Sequence, residues 1–182
     1  MLAGWISMFS GGVLSAHPET PVATEHAIKA AFLYKFATFI EWPAQAFDSP
    51  EAPFVIGILG EDPFGDLLER TCEGKTLNNH PMEVRRYDQA GAVSECHLLF
   101  VSLQNPRETR ETLALFRDSP ILTVGEAEGF CQVGGVIGFY REGNNVRFEI
   151  NVDAVKRAEQ QGLKLRPQLL GVGRPVREES ED

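Results

Sequence analysis

The sequence predicts an α/β fold, with a mostly parallel β-sheet flanked by helices and a β-hairpin near the C-terminus. Short apolar runs alternate with helical segments along the chain, which is typical of parallel strands joined by helical crossovers. Near the end, two strand-like runs are separated only by "EGNN", which has the composition of a hairpin turn. A length of 182 residues, without an internal repeat or an interdomain linker, indicates a single domain.

The first predicted element is a helix that begins at Thr24, a suitable N-cap, and ends at Pro43. Its apolar side chains recur at steps of three and four residues, at Ile28, Phe32, Phe36, Phe39 and Ile40. A helix that crosses a bilayer needs about 20 predominantly apolar residues, whereas the apolar stretch "KAAFLYKFATFIEWP" has 15. We therefore expect the helix to pack on the sheet. An aromatic edge left exposed for a partner is the alternative.

Four strands and two crossover helices are predicted in the central part of the chain. The run "FVIGILG" is apolar throughout, as expected for a strand covered on both faces. Because the runs alternate with helices, we expect the strands to be parallel. The strands are expected at 54–60, 81–88, 96–102 and 120–125, and the helices at 63–72 and 105–118.

The predicted hairpin is followed by a last helix. Apolar and charged residues alternate in "VRFEIN" (146–151), so that one face of this strand points to the core. The same alternation places Glu149 on the solvent side. The helix is expected over 152–162, where Gly162 ends it.

The charge of the chain argues against one class of function. The formal net charge is −9 and no run of Lys and Arg occurs, so a nucleic-acid-binding surface is not expected. The last six residues, "REESED", contain four acids and one Arg. We therefore predict a disordered acidic tail over 172–182 and assign the folded domain to 24–171.

Residues 1–16 are predicted to be a signal peptide that is truncated at its own start. No charged residue occurs from Leu2 to Ala16, and the stretch ends on small residues, with Ala16 at the expected cleavage point. The basic residues that normally precede such a stretch are missing, since Lys29 is the first Lys or Arg. A disordered apolar leader is the alternative.

The candidate ligand site is the crevice at the carboxyl ends of the predicted parallel strands. Glu61 and Asp62 follow the first strand, and Ser102 ends the third. The sequence contains neither a P-loop nor a GxGxxG turn after a strand. Small-molecule binding in this crevice is therefore kept as an alternative function.

The sequence does not assemble a catalytic constellation. His97 opens an apolar strand without a nucleophile or carboxylate beside it, so we expect a core histidine rather than a general base. Cys72, Cys96 and Cys131 form no CxxC pair and lack a His at metal-binding spacing. They allow at most one intramolecular disulfide. We predict that the protein is not an enzyme and has neither a metal site nor a cofactor.

Five segments of the chain are distinctive when they are taken in order. They are "KAAFLYKFATFIEWP", "IGILGEDPFG", "CHLLFVS", "ILTVGE" and "GGVIGFYREGNNVRFEINVDAVKRAEQQGL". Together they resemble the YfiR family, from about Ala27 to Leu170. The resemblance implies a Rossmann-like or flavodoxin-like domain, without a cofactor or catalysis. It also implies a location in the periplasm, which fits a signal peptide over 1–16.

The resemblance implies a regulatory function. Members of the YfiR family hold a membrane-bound diguanylate cyclase of the YfiN type inactive by binding its periplasmic domain. This chain is accordingly expected to lower cyclic di-GMP signalling and biofilm formation. The resemblance further implies a homodimer, and release of the cyclase by an outer-membrane lipoprotein of the YfiB type.

The resemblance also indicates a contact surface on the hairpin and the helix after it. Ile137, Glu149 and Val155 match positions that family members use against the cyclase. An exposed Glu is also what the alternating strand predicts. The alternative, a solvated Glu149 and a core Val155 without a role in binding, stays open.

Family members sense redox state through disulfides, so the cysteines are compared with the family pattern. The family partner of Cys131 lies seven residues on, where this chain has Gly138, and the family partner of Cys96 is Gly57 here. Neither of those bridges can form. The resemblance therefore leaves Cys131 as a free thiol. It favours a Cys72–Cys96 bridge, because a crossover helix returns to the strand ends where Cys96 is expected.

Overall fold

The computed structural model describes residues 21–179; the predicted signal peptide, 1–16, lies outside the described residues. The helices are α1 (Pro21–Thr38), α2 (Leu67–Cys72), α3 (Pro106–Phe116), α4 (Val152–Gln160) and α5 (Pro167–Leu170). The strands are β1 (Ile40–Glu41), β2 (Phe54–Gly60), β3 (Thr76–Leu77), β4 (His80–Tyr87), β5 (Leu98–Ser102), β6 (Leu122–Gly125), β7 (Ile137–Glu142), β8 (Asn145–Asn151), β9 (Lys164–Leu165) and β10 (Arg174–Val176).

The central sheet has eight strands in the order β10-β8-β7-β6-β5-β2-β4-β3. Strand β2 pairs in parallel with β4 on one side and with β5 on the other, and the parallel pairing continues through β6 to β7. Strands β7 and β8 pair antiparallel, and β10 pairs in parallel with β8. The predicted α/β fold, with a mostly parallel sheet flanked by helices, is confirmed.

Two clusters of buried side chains lie on the two faces of the sheet. In β5, Leu98 and Phe100 belong to the larger cluster, whereas Leu99 and Val101 belong to the smaller one. This division follows from the alternation of side chains along a strand. Residues of α1, α2 and α4 complete the larger cluster, and Leu113 of α3 belongs to the smaller.

The first helix ends earlier than its apolar pattern predicts. α1 stops at Thr38, and Ile40 instead pairs antiparallel with Leu165 in a two-stranded sheet. Trp42 remains buried and donates its indole N–H to the carbonyl oxygen of Ala37 at 3.1 Å. The apolar residues that follow α1 are therefore buried in the core although they are not helical.

The C-terminal segment corrects the prediction of a disordered tail from residue 172. β10 pairs with β8, with Arg174 opposite Glu149. Glu178 forms ion pairs with Arg157 and Arg117. Charge composition could not reveal this order, because both the edge of β8 and the two arginines come from distant parts of the chain. Residues 180–182 of the predicted tail lie outside the described residues.

Phe32 and Phe36 of α1 pack against aromatic residues of the sheet. Phe36 is almost fully buried, with its ring centroid 5.0 Å from that of Phe148 and 5.7 Å from that of Phe139. Among the residues that the structure describes, no helix is both long enough and apolar enough to cross a membrane.

Candidate functional site

Glu149, a predicted contact residue, lies inside the protein rather than on its surface. Its side chain is only 9% exposed, and its Oε2 accepts a hydrogen bond from Nη2 of Arg174 at 2.6 Å. A Cβ atom at Gly138, on the neighbouring strand, would lie 3.3 Å from Cγ of Glu149. The prediction that Glu149 is exposed is therefore wrong, because other segments cover the polar side of β8.

The arginine that pairs with Glu149 is accessible to solvent. The side chain of Arg174 is 55% exposed, and its Cζ lies 4.2 Å from the ring centroid of Tyr140. Favourable contact between a guanidinium and an aromatic face fixes both groups. Sequence reasoning missed Arg174, since it falls in the segment assigned to a disordered tail.

The other two predicted contact residues are also buried. Ile137 is fully buried and lies next to Val124 and Ile150 in the sheet. Val155 is on the inner face of α4 and belongs to the larger core cluster. The structure thus brings Ile137 and Glu149 onto adjacent strands, with Val155 in the helix that follows, but it exposes none of the three.

The cysteines contradict the predicted disulfide. Cys72, Cys96 and Cys131 are all free and buried. Cys72 lies in α2 and belongs to the larger cluster, whereas Cys96 belongs to the smaller cluster on the opposite face of the sheet. A Cys72–Cys96 bridge would have to pass through the sheet. The sequence pattern predicted which secondary-structure elements the two cysteines belong to. It did not predict which face of the sheet each of them lies on.

Burial makes all three thiols poor nucleophiles. Desolvation raises the pKa of Cys72 to about 11 and that of Cys96 to about 12. The pKa of Cys131 is also raised, chiefly by burial and further by the carboxylate of Glu149. Because the thiolate is the reactive form, the raised pKa values favour the protonated, less reactive thiols at neutral pH.

Each of two cysteines faces a glycine. A Cβ atom at Gly57 would lie 2.7 Å from Sγ of Cys96, and one at Gly138 would lie 3.1 Å from Sγ of Cys131. According to the resemblance to the YfiR family, these glycines stand where family members have the second cysteine of each bridge. In each pair the cysteine and the glycine are thus adjacent in space, so that only the second thiol of a bridge is missing.

Of the three residues predicted to line the strand-end crevice, only Ser102 does so. A cavity of about 330 Å³ lies against Ser102, Gln104, Glu126 and Glu128, where β5 and β6 end. Asp62 is engaged elsewhere: its side chain accepts from the backbone N–H of Phe64 at 2.7 Å and pairs with Arg86 at 2.7 Å. Glu61 is exposed. The three residues predicted for this site therefore do not converge.

A buried lysine, which sequence reasoning missed, lies behind this crevice. Lys29 of α1 is 5% exposed, and its Nζ donates to Oε1 of Glu25 at 2.6 Å and to Oε2 of Glu126. A charge buried in this way is stabilised by its two carboxylate partners. The ion pairs connect the start of α1 to the loop after β6, where Glu126 also lines the crevice.

His97 occupies a site typical of a core histidine. Its Nδ1 accepts a hydrogen bond from the backbone N–H of Val55 at 3.1 Å, and its ring packs against Phe47 and Phe54. Desolvation lowers its pKa to about 4. Within residues 21–179, no group of three or more His, Cys, Asp or Glu side chains is arranged to hold a metal ion.

Comparison with known protein families settles the assignment. A family model described as YfiR/HmsC-like matches residues 26–174, which is most of the chain. The chain belongs to the YfiR/HmsC-like family. YfiR/HmsC-like proteins are periplasmic and are generally regulators of diguanylate cyclases. The family is regulatory and is not known for enzymes.

Proposed function

We propose that this chain is a periplasmic protein that inhibits a membrane-bound diguanylate cyclase of the YfiN type, and so lowers cyclic di-GMP signalling and biofilm formation. The observation that carries the proposal is the family match over residues 26–174. A role in binding rather than catalysis is further supported by His97, which is buried and held neutral, and by Asp62, which is engaged by Arg86.

The cyclase is contacted, in this proposal, at β7, β8 and the start of α4. Arg174 and Tyr140 supply the accessible groups, and Glu149 acts from beneath by holding the guanidinium over the ring. Ile137 and Val155 act through core packing, which sets the position of β7 and α4. Arg and Tyr are side chains that commonly dominate the energetics of protein interfaces.

The remaining parts of the proposal rest on the resemblance to the YfiR family. They are a Rossmann-like domain, export by the segment 1–16, a homodimer, and capture by a YfiB-type outer-membrane lipoprotein that releases the cyclase.

Deletion of the gene in the native host tests the function. Cellular cyclic di-GMP and surface adhesion should rise, and expression of the wild-type chain in the periplasm should restore both. A periplasmic fragment of the cyclase should co-purify with the chain. Unchanged cyclic di-GMP after deletion, together with no co-purification, would contradict the proposal.

A paired substitution tests the contact surface separately. Glu149→Gln with Arg174→Gln removes both charges and leaves two amides that can still hydrogen-bond. We expect this variant to fold but to lose repression. Arg107→Gln is a matched control, since Arg107 is an exposed arginine that pairs with Glu111 on α3. Full repression by the double variant would show that the cyclase is contacted elsewhere.

A second candidate function is small-molecule binding at the strand-end crevice. The cavity of about 330 Å³ beside Ser102 and Glu126 favours it, because ligand pockets commonly have volumes of roughly 300–1,000 Å³. Native mass spectrometry of the chain purified from periplasm should then detect a bound compound. Ser102→Trp should fill the crevice and remove that compound. A wild-type chain that carries no adduct would reject this alternative.

A further inference from the structure

A polar cleft lies between α3, α4 and the loop after β6, and it borders the start of α4, which belongs to the proposed cyclase contact. Its volume is about 640 Å³. Three arginines line it, and the C-terminal segment enters it with Glu178. Its polar side chains include Arg110, Arg117, Arg157, Gln132, Asp153 and Glu178.

The carboxylate of Glu178 is recognised by three side chains. Arg157 donates to Oε1, Arg117 donates to Oε2 at 3.3 Å, and Nδ2 of Asn151 donates to Oε1 at 3.1 Å. The side chain of Glu178 is only 19% exposed. Two arginines and an amide around one carboxylate form a specific site for that group rather than a general positive surface.

Asn151 makes this site rigid. The residue is fully buried, and its Oδ1 accepts from the backbone N–H groups of Asp153 and Ala154 at 3.0 Å, which caps the start of α4. Its Nδ2 also donates to the carbonyl oxygen of Cys131 at 2.8 Å. The amide is therefore oriented toward Glu178 by bonds that do not depend on the tail.

The cleft also has peptide-binding features along its wall. The backbone N–H of Glu179 donates to the carbonyl oxygen of Gln132 at 3.1 Å. Oε1 of Gln132 is buried and has no hydrogen-bond partner among residues 21–179. An additional N–H donor, such as a peptide group that follows the same path, would satisfy it.

The segment that occupies the cleft is held mainly by polar contacts. The ion pair of Glu178 with Arg117 is accessible to solvent, since Arg117 is 54% exposed, and it contributes little to stability. The ion pair with Arg157 is largely buried, because that side chain is 20% exposed. The sequence from Arg177 is "REESED", and Glu178 is the acid of this segment that occupies the site. A segment held by polar contacts can be displaced by another chain that supplies the same groups, because each contact is then replaced by an equivalent one.

We propose that this cleft is a binding site for an acidic peptide segment of a partner protein, and that the chain's own residues 177–179 occupy it as a built-in competitor. The partner would place a carboxylate between Arg117 and Arg157 and a peptide N–H near Gln132. This site borders the proposed cyclase contact at the start of α4, but recognition of a carboxylate by Arg117, Arg157 and Asn151 does not require the cyclase.

Fluorescence anisotropy with a labelled peptide of sequence VREESED tests the proposal. In the full chain, Glu178→Gln weakens the tethered tail, so we expect the peptide to bind at least about tenfold more tightly than to wild type. A chain that ends after Val176, which retains β10, should behave in the same way. Arg157→Gln combined with Glu178→Gln should abolish binding.

Two controls decide the result. The peptide VRQQSQN, which lacks carboxylate side chains, should not bind, and circular dichroism should show that each variant is folded. The proposal is overturned if folded Glu178→Gln and the shortened chain both fail to bind VREESED, or if they bind VRQQSQN equally well. Unfolding of both variants would also overturn it, since the tail would then be a structural part of the domain.

Discussion

The imidazole of His97 lies among aromatic rings, where a positive charge is costly. Its ring centroid is 4.4 Å from that of Phe47 and 4.8 Å from that of Phe54, and desolvation lowers its pKa from 6.5 to about 4. Between these values the unfolded chain binds a proton that the folded chain does not bind. The free energy of unfolding should therefore fall as the pH falls through this window.

The size of this effect is testable. The pKa of His97 is 6.5 in the unfolded chain and about 4 in the folded chain. This difference should lower the free energy of unfolding near pH 4 by about 3 kcal/mol relative to neutral pH. Urea unfolding of wild type should show this decline, and His97→Asn, which retains an acceptor for the N–H of Val55, should show less of it. Equal pH dependence in the two proteins would mean that other groups control acid stability.

Glu149 is the residue at which burial changes the expected effect of a mutation. Glu149→Lys would place an ammonium group next to Arg174, in a site that is 9% exposed. Leaving two cations without a carboxylate should reduce the free energy of unfolding by about 3 kcal/mol. Loss of repression by this variant would therefore report on folding as well as on binding.

Glu142→Lys is the matched control for that change. Glu142 ends β7, pairs with Arg147 and is 65% exposed. Substitution there should change the free energy of unfolding by no more than about 0.5 kcal/mol. Thermal unfolding of the two variants side by side separates them. Equal stability would mean that Glu149 is accessible in solution.

The glycine opposite Cys131 allows a disulfide to be introduced. A Cβ at Gly138 would be 3.1 Å from Sγ of Cys131, close to the roughly 3 Å that an S–S bond of about 2.05 Å imposes. Gly138→Cys should therefore form a bridge on oxidation, and closing this short loop should stabilise the fold by about 2 kcal/mol. Thiol titration in denaturant should then find only Cys72 and Cys96 reactive.

Gly57→Cys provides the comparison. A Cβ there would be 2.7 Å from Sγ of Cys96, but also 2.8 Å from the ring of Tyr87 and 2.9 Å from Leu99. This crowding should make the variant less stable than Gly138→Cys. Four reactive thiols in oxidised Gly138→Cys would show that the spacing around Cys131 does not permit a bridge.

At the scale of secondary-structure elements, the contact between α1 and the β7–β8 pair is a main part of the core. Phe148 is 5% exposed, and its ring meets those of Phe36 and Phe32 at centroid distances of 5.0 Å and 5.6 Å. Phe148→Ala should lower the free energy of unfolding by about 3–5 kcal/mol, because it removes a buried ring from a packed interface.

Chemical unfolding measures this cost, with Leu115→Ala as the control. Leu115 lies on α3 and is 66% exposed, so its loss should change stability by at most about 0.5 kcal/mol. A small effect of Phe148→Ala would mean that α1 is not firmly docked on β7 and β8.

At the scale of the whole molecule, the proposed function requires export. A reporter enzyme that is active only in the periplasm, fused after residue 30, should be active because residues 1–16 carry the features of a signal peptide. The same fusion without residues 1–16 is the control and should be inactive. An inactive fusion that carries residues 1–30 would contradict the periplasmic location.

Local patterns in the sequence were sufficient for most of the fold. The sequence predicted which strands and helices follow one another along the chain. The signals were the apolar run of β2, the alternation in β8 and the capped helices, and each of them depends only on neighbouring residues. The family was also predicted from the sequence, since its five segments keep their order. These features determined the α/β class and a mostly parallel sheet.

The candidate site was predicted less well, since it depends on contacts between distant segments. Only the tertiary structure decided that β10 lies beside β8, so that Glu149 is buried under Arg174. It also decided that Cys72 and Cys96 lie on opposite faces of the sheet. Residue patterns specify which side of a strand a side chain occupies. Which segment covers that side is set by strand pairing and packing across the whole chain.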